Sequence, residues 1–154
     1  DDLGCDVSCT VPACFVELDG DECSTAILVG LGETQFDTST STTSIDPYSE
    51  TGCTDTLLGA MEQDIWFSFL APADGFATFS LCDPNGFDSD LVVYEGFCSS
   101  MVQLGCNGDD NSCLDILRSR LSGIPISQGA SYLIRVGGWD NLQFGSGVLS
   151  ITID

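Results

Sequence analysis

Histidine and lysine are absent from this chain, and only three arginines stand against 24 acidic residues. Without histidine, Ser–His–Asp and Cys–His nucleophiles and histidine-held zinc are excluded on chemical grounds. The motifs GxSxG, HExxH and GxxxxGK[ST] are missing, and VGLGET at 29–34 lacks the third glycine of a dinucleotide loop. Carboxylate pairs can hydrolyse glycosides, but here acids are in excess and nothing singles out two in opposed environments, so no enzyme is expected. A net charge of −21 excludes nucleic acid as a primary partner and argues against anionic lipid. Apolar runs stay well short of about 18 residues, so no membrane insertion is expected. No Asn-x-Ser/Thr sequon occurs, so N-glycans are not expected.

What is present is cysteine, nine in 154 residues. Cysteine this dense, without histidine and without paired CxxC spacings, reads as disulfides in an oxidising compartment rather than as a zinc or iron–sulfur site. The odd number leaves one thiol free or paired between chains. The chain starts at Asp1, and the reading expected is a mature secreted, extracellular or cell-surface protein whose signal peptide has been removed. Hydrophobic content of 43% fits a globular domain despite the charge. Its surface would repel itself at low salt, which points to a salty medium or to bound cations.

Two regions are expected. Residues 1–20, holding Cys5, Cys9 and Cys14, form a cysteine-rich leader or arm with little periodicity, and residues 21–154 form one domain. The hydroxyl-rich run at 34–44 reads as a solvated edge strand or loop. Short apolar runs then recur at 64–70, 75–81, 90–96, 101–106, 113–121, 131–139 and 147–154. Several alternate: Leu149, Ile151 and Ile153 share one face, Ser150 and Thr152 the other. Turn residues separate them. Strands of this length and spacing indicate an all-β fold, an antiparallel, disulfide-stapled β-sandwich. Only 22–30 and 113–121 offer a helical alternative, and the latter alternates well enough to be a strand.

The ordered set DECSTAILVG, DIWFSFLAP, GFATFSLC, FDSDLVVYEGFC, LGCNGDD, SYLIRVGG and GVLSITI resembles the bacterial pre-peptidase C-terminal domain family over about residues 21–154. That resemblance implies a jelly-roll-like sandwich appended to secreted proteins. Two positions depart from the family pattern: Ser89 replaces a threonine, and Gly108 interrupts an Asn-Asp-Asp run.

The stretches 83–95 and 106–113 hold the densest oxygen donors. If the strands at 91–94 and 101–105 form a hairpin, Asp88 and Asp90 before the first and Asn107, Asp109 and Asp110 after the second meet at one end. Hard oxygen ligands without histidine point to calcium, which takes six to eight of them at about 2.3–2.6 Å. The family resemblance implies the same ion. The spacing is not that of an EF-hand, and Asp, Asn and Gly also populate turns for backbone reasons alone. Glu62 and Asp64 read as a strand-end cap. Cys98–Cys106, Cys82–Cys113 and Cys23–Cys53 are the expected pairs, although connectivity does not follow from sequence.

The function expected is a non-catalytic, calcium-binding extracellular module. It would act in structural assembly (a filament or surface layer, built as a homo-oligomer or polymer) or in adhesion. The alternative is an accessory module of a secreted enzyme that binds a glycan or protein through Trp139, helped by Tyr48 and Phe144.

Overall fold

The computed structural model describes residues 19–45, 53 and 56–154. A 3-10 turn at Cys23–Thr25 precedes nine strands among these residues: β1 (Ile27–Val29), β2 (Gly32–Asp37), β3 (Glu62–Leu70), β4 (Gly75–Ser80), β5 (Ser89–Glu95), β6 (Val102–Asn107), β7 (Arg120–Ile126), β8 (Ser131–Gly138) and β9 (Ser146–Ile153). They make two sheets, a five-stranded one in the order β1-β3-β8-β5-β6 and a four-stranded one in the order β2-β9-β4-β7. The expected all-β, disulfide-stapled sandwich is what forms. Its pairings are antiparallel except β1 with β3, which is parallel. The described part of the 1–20 leader is only Asp19 and Gly20; Cys5, Cys9, Cys14 and Tyr48 lie outside the described residues.

Alternation along the strands explains the layering. Ile65, Phe67 and Phe69 of β3, Leu91 and Val93 of β5, and Ile134 and Val136 of β8 face Ala77, Phe79, Leu149 and Ile151 of the other sheet and make the main core. The opposite face of the five-stranded sheet is buried too. Trp66, Val92, Tyr94 and Leu133 cluster there with Cys23, Cys53, Met61 and Cys106. Both faces of β5 are therefore covered, which is why DLVVY reads as an unbroken apolar run rather than an alternating one.

Three expectations change. The run at 22–30 gives one turn and the short edge strand β1, since Ile and Val favour extended backbone. The run at 113–121 yields a strand only from Arg120; its first half is held in a loop by Cys113, which bridges Cys82. That bridge was expected, but the other two pairs are exchanged: Cys23 bonds Cys98 and Cys53 bonds Cys106. The register of the hairpin explains it. Cys106 lies opposite Val92 near the far end of β5, whereas Cys98 sits in the turn that joins β5 to β6. A Cys98–Cys106 bridge would have to span most of the hairpin. The observed bridges instead tie chain segments onto the outer face of the five-stranded sheet.

Candidate functional site at one pole

β5 and β6 pair antiparallel, with Leu91 opposite Asn107. The segment entering β5 and the segment leaving β6 therefore lie at the same pole. This brings Asp88 and Asp90 beside Asp109. The 108–118 loop folds back on this hairpin: Asp110 N–H donates to the carbonyls of Ile116 and Arg118, at 3.1 and 2.9 Å. Ser119, fully buried, donates its hydroxyl to the carbonyls of Ser89 and Gly108 and so links the start of β5 to the end of β6.

A strap over residues 56–61 closes the outer side. The Cys53–Cys106 disulfide anchors its start, and Thr56 O accepts the N–H groups of Gly108 and Asp109 at 3.1 and 2.6 Å. Gly108 has a physical reason to interrupt the acidic run: a Cβ there would stand 2.6 Å from the Leu57 backbone. Gly59 is constrained in the same way, since its Cβ would meet Trp139 O at 2.1 Å. Leu57 and Met61 adopt positive φ, 57° and 52°, a strained conformation for side chains of this kind.

Beneath the strap lies Asp90, with no exposed surface. Its Oδ2 accepts the Gly59 N–H at 2.8 Å, while its Oδ1 is buried without a hydrogen-bond partner. Burial pushes its pKa up to about 7, the charges of Asp88 and Asp109 add to the rise, and the Gly59 and Met61 N–H groups oppose it. Asp88 is raised by burial and then by Asp109, with Arg118 pulling it down. Asp109 is raised by burial and then by Asp115. Three carboxylates are thus held together at a cost to their charged forms.

Asn107 and Asp110 sit at the same pole but brace the loop. Asn107 Oδ1 accepts the Arg120 N–H at 2.9 Å and its Nδ2 donates to Asp109 O at 3.0 Å. Asp110 Oδ1 accepts the Ser112 N–H at 2.7 Å. Trp139 is half-exposed and joins the same pole, donating its N–H to Asp88 O at 3.1 Å. Phe144 is also partly exposed on the 139–145 loop.

The residue that sequence reasoning missed is Arg118. It lies five positions beyond Cys113, yet its guanidinium reaches into this pole, bonding Asp83 O, Gly86 O and the Asp115 carboxylate. Being one of only three cations in the chain was the signal that could have flagged it. Asp64 was also read differently. It does not cap a strand end but is fully buried in an ion pair with Arg135 at 2.7 Å.

Among solved structures the chain is similar to the pre-peptidase C-terminal domain of collagenase from Bacillus anthracis, with a TM-score of 0.51 and 16% identity over 82% of this chain and 94% of that one. The fold is that of a pre-peptidase C-terminal domain. At this identity the likeness extends to the fold alone. No protein-family model and no curated protein matches the sequence.

On this pre-peptidase C-terminal fold, the donor set at the pole is chemically suited to a hard divalent cation. It offers carboxylate oxygens, one of them buried and unpartnered, and no sulfur or imidazole. The side chains stand open rather than closed around a point: among the described residues no three acidic or cysteine side chains are grouped tightly enough to hold a metal as they lie.

Proposed function

We propose that this chain is a non-catalytic, calcium-binding β-sandwich module that works outside the cell in structural assembly or adhesion. The observation that carries the reading is Asp90, a carboxylate sealed under the 56–61 strap with one oxygen unpartnered and two further carboxylates acting on it. Ionised, a carboxylate buried in this way needs a counter-charge, and Arg118, whose guanidinium acts on neighbouring Asp88, is already bonded to Asp115 and two carbonyls. Asp88, Asp90 and Asp109 would hold the cation, with Asp110 and Asn107 shaping the loop that presents Asp109. Bound there, calcium would supply positive charge that fixes the strap and both loops. Three disulfides support an oxidising, extracellular setting. The test is calorimetric titration of the metal-free protein with calcium, repeated on Asp90→Asn. Heat from the parent protein and none from the variant is expected; equal heats from both remove Asp90 from the site.

A second reading is favoured by the shared fold with a collagenase domain: an accessory module of a secreted enzyme, binding a glycan or protein through Trp139. A glycan array probed with the parent chain and Trp139→Ala tests it, since binding that survives the substitution excludes that contact.

A further inference from the structure

The pole that carries the acidic cluster also exposes several large apolar side chains. Leu57 is on the strap, Leu114 and Ile116 are on the 108–118 loop, and Trp139, Leu142 and Phe144 are on the 139–145 loop. All are exposed, Leu114 by 94% and Leu142 by 77%. The backbone bonds place them together: Thr56 O holds Asp109, Ile116 O holds Asp110, and Asp88 O holds Trp139. Six of the 14 exposed large apolar side chains among the described residues stand here, around Asp88, Asp109, Asp115 and Asp140, whose charges act on one another. Leucines on loop tips at such exposure are costly to leave in water and mark contact surfaces.

Charge decides what covers them. A partner must bring apolar side chains to the tips and positive charge to the carboxylates between them. A second copy of this chain cannot. Its three arginines are its whole supply of cations; Arg118 and Arg135 are buried and bonded, which leaves Arg120 alone to meet four carboxylates. The residues outside the described part contain neither lysine nor arginine, so they fail for the same reason. Asp90 adds a separate indication, a fully buried carboxylate with an unpartnered oxygen lying under the strap beside Asp88 and Asp109.

We propose that this pole is a docking surface for a different protein, through a segment that alternates lysine or arginine with large apolar side chains. The inference rests on the reading of the pole as a non-catalytic contact site, but not on calcium.

The probe is a synthetic peptide alternating lysine and leucine, with one control carrying glutamate for lysine and another serine for leucine. Binding to the full chain is followed by tryptophan emission, to which half-exposed Trp139 responds while Trp66 is buried, in chelator and again in calcium. Because a chain of this charge attracts any polycation, the informative variant is uncharged: Leu114→Ser with Leu142→Ser, both at exposed positions, so the melting temperature should not move. The lysine–leucine peptide should bind, should weaken about tenfold or more with the double variant, and should weaken again when salt rises from about 0.05 to about 0.5 M; the glutamate peptide should not bind. Equal binding of the serine peptide, or undiminished binding by the double variant, overturns the proposal. So does association with phosphatidylserine vesicles in calcium without peptide binding, which would make the pole a membrane contact. Self-association in sedimentation that the double variant abolishes would make it a homotypic interface and overturn it too. A calcium titration on the same samples separates the two readings: peptide binding without calcium heat leaves this one standing and removes the other.

Discussion

Asp64 and Asp90 occupy equivalent places and meet opposite fates. Each is fully buried on the outer face of the five-stranded sheet, one on β3 and one on β5, with β8 running between them. A Cβ on Gly137 of β8 would stand 3.1 Å from Asp64 and from Met61 of the strap, so this part of the face is tightly filled. Asp64 receives everything a buried carboxylate needs. Arg135 bonds it at 2.7 Å, Ser44 N–H donates to its other oxygen at 2.7 Å, and the guanidinium in turn bonds Ser44 O and lies 5.2 Å from the Trp66 ring centre. Asp90 receives only the backbone N–H groups of Gly59 and Met61, against the charges of two neighbouring carboxylates. The lesson is that burial alone does not define a structural acid. The paired one completes the fold, and the other lies buried with its pKa pushed up to about 7.

That contrast can be broken from either side. The largest effect is expected at Asp64: Arg135→Met leaves it buried and uncompensated, and chemical denaturation should show a loss of about 3–5 kcal/mol. At Asp90 the opposite sign is expected. Its folded pKa, about 7, lies above its ordinary value of 3.8, so the fold disfavours the ionised form. In chelator, stability should be unaffected at pH below about 4, where the group is protonated folded or unfolded. It should fall as pH rises towards about 7, by an amount on the order of 4 kcal/mol, and level off above that. Asp88 and Asp109, also raised, act in the same direction. Asp90→Asn, which keeps an acceptor for the Gly59 N–H, should flatten this profile and stabilise the metal-free protein at neutral pH. Calcium at about 100 times its dissociation constant should raise the parent protein's stability by about 2.7 kcal/mol, read as a shift in the denaturation midpoint. The smallest effect is expected from Trp139→Ala: the residue is half-exposed, and its loss should cost less than about 1 kcal/mol while altering surface contacts.

Much of the sandwich was legible because alternating apolar runs encode which face of a strand is buried. Leu149 and Ile151 point to the core as their spacing implies, and the acidic ends of β5 and β6 meet because hairpin pairing requires it. The outer cluster was not legible. Whether Cys23 and Cys53 reach Cys98 and Cys106, and whether Arg135 finds Asp64 across 71 positions, depends on how segments outside the strands fold over the sheet. No periodicity records that. Local reading failed in the same way at Arg118, which lies beyond the acidic loop in sequence but against the same pole in space.

The most direct measurement is the thermal midpoint of the parent protein and Asp90→Asn, taken from about pH 4 to pH 8 in calcium and in chelator. The parent protein in chelator should melt earlier as pH rises and calcium should restore it, whereas the variant should not respond to calcium and should keep only the weaker pH dependence that Asp88 and Asp109 impose. A parent midpoint indifferent to calcium, or a variant less stable than the parent at neutral pH in chelator, would contradict it.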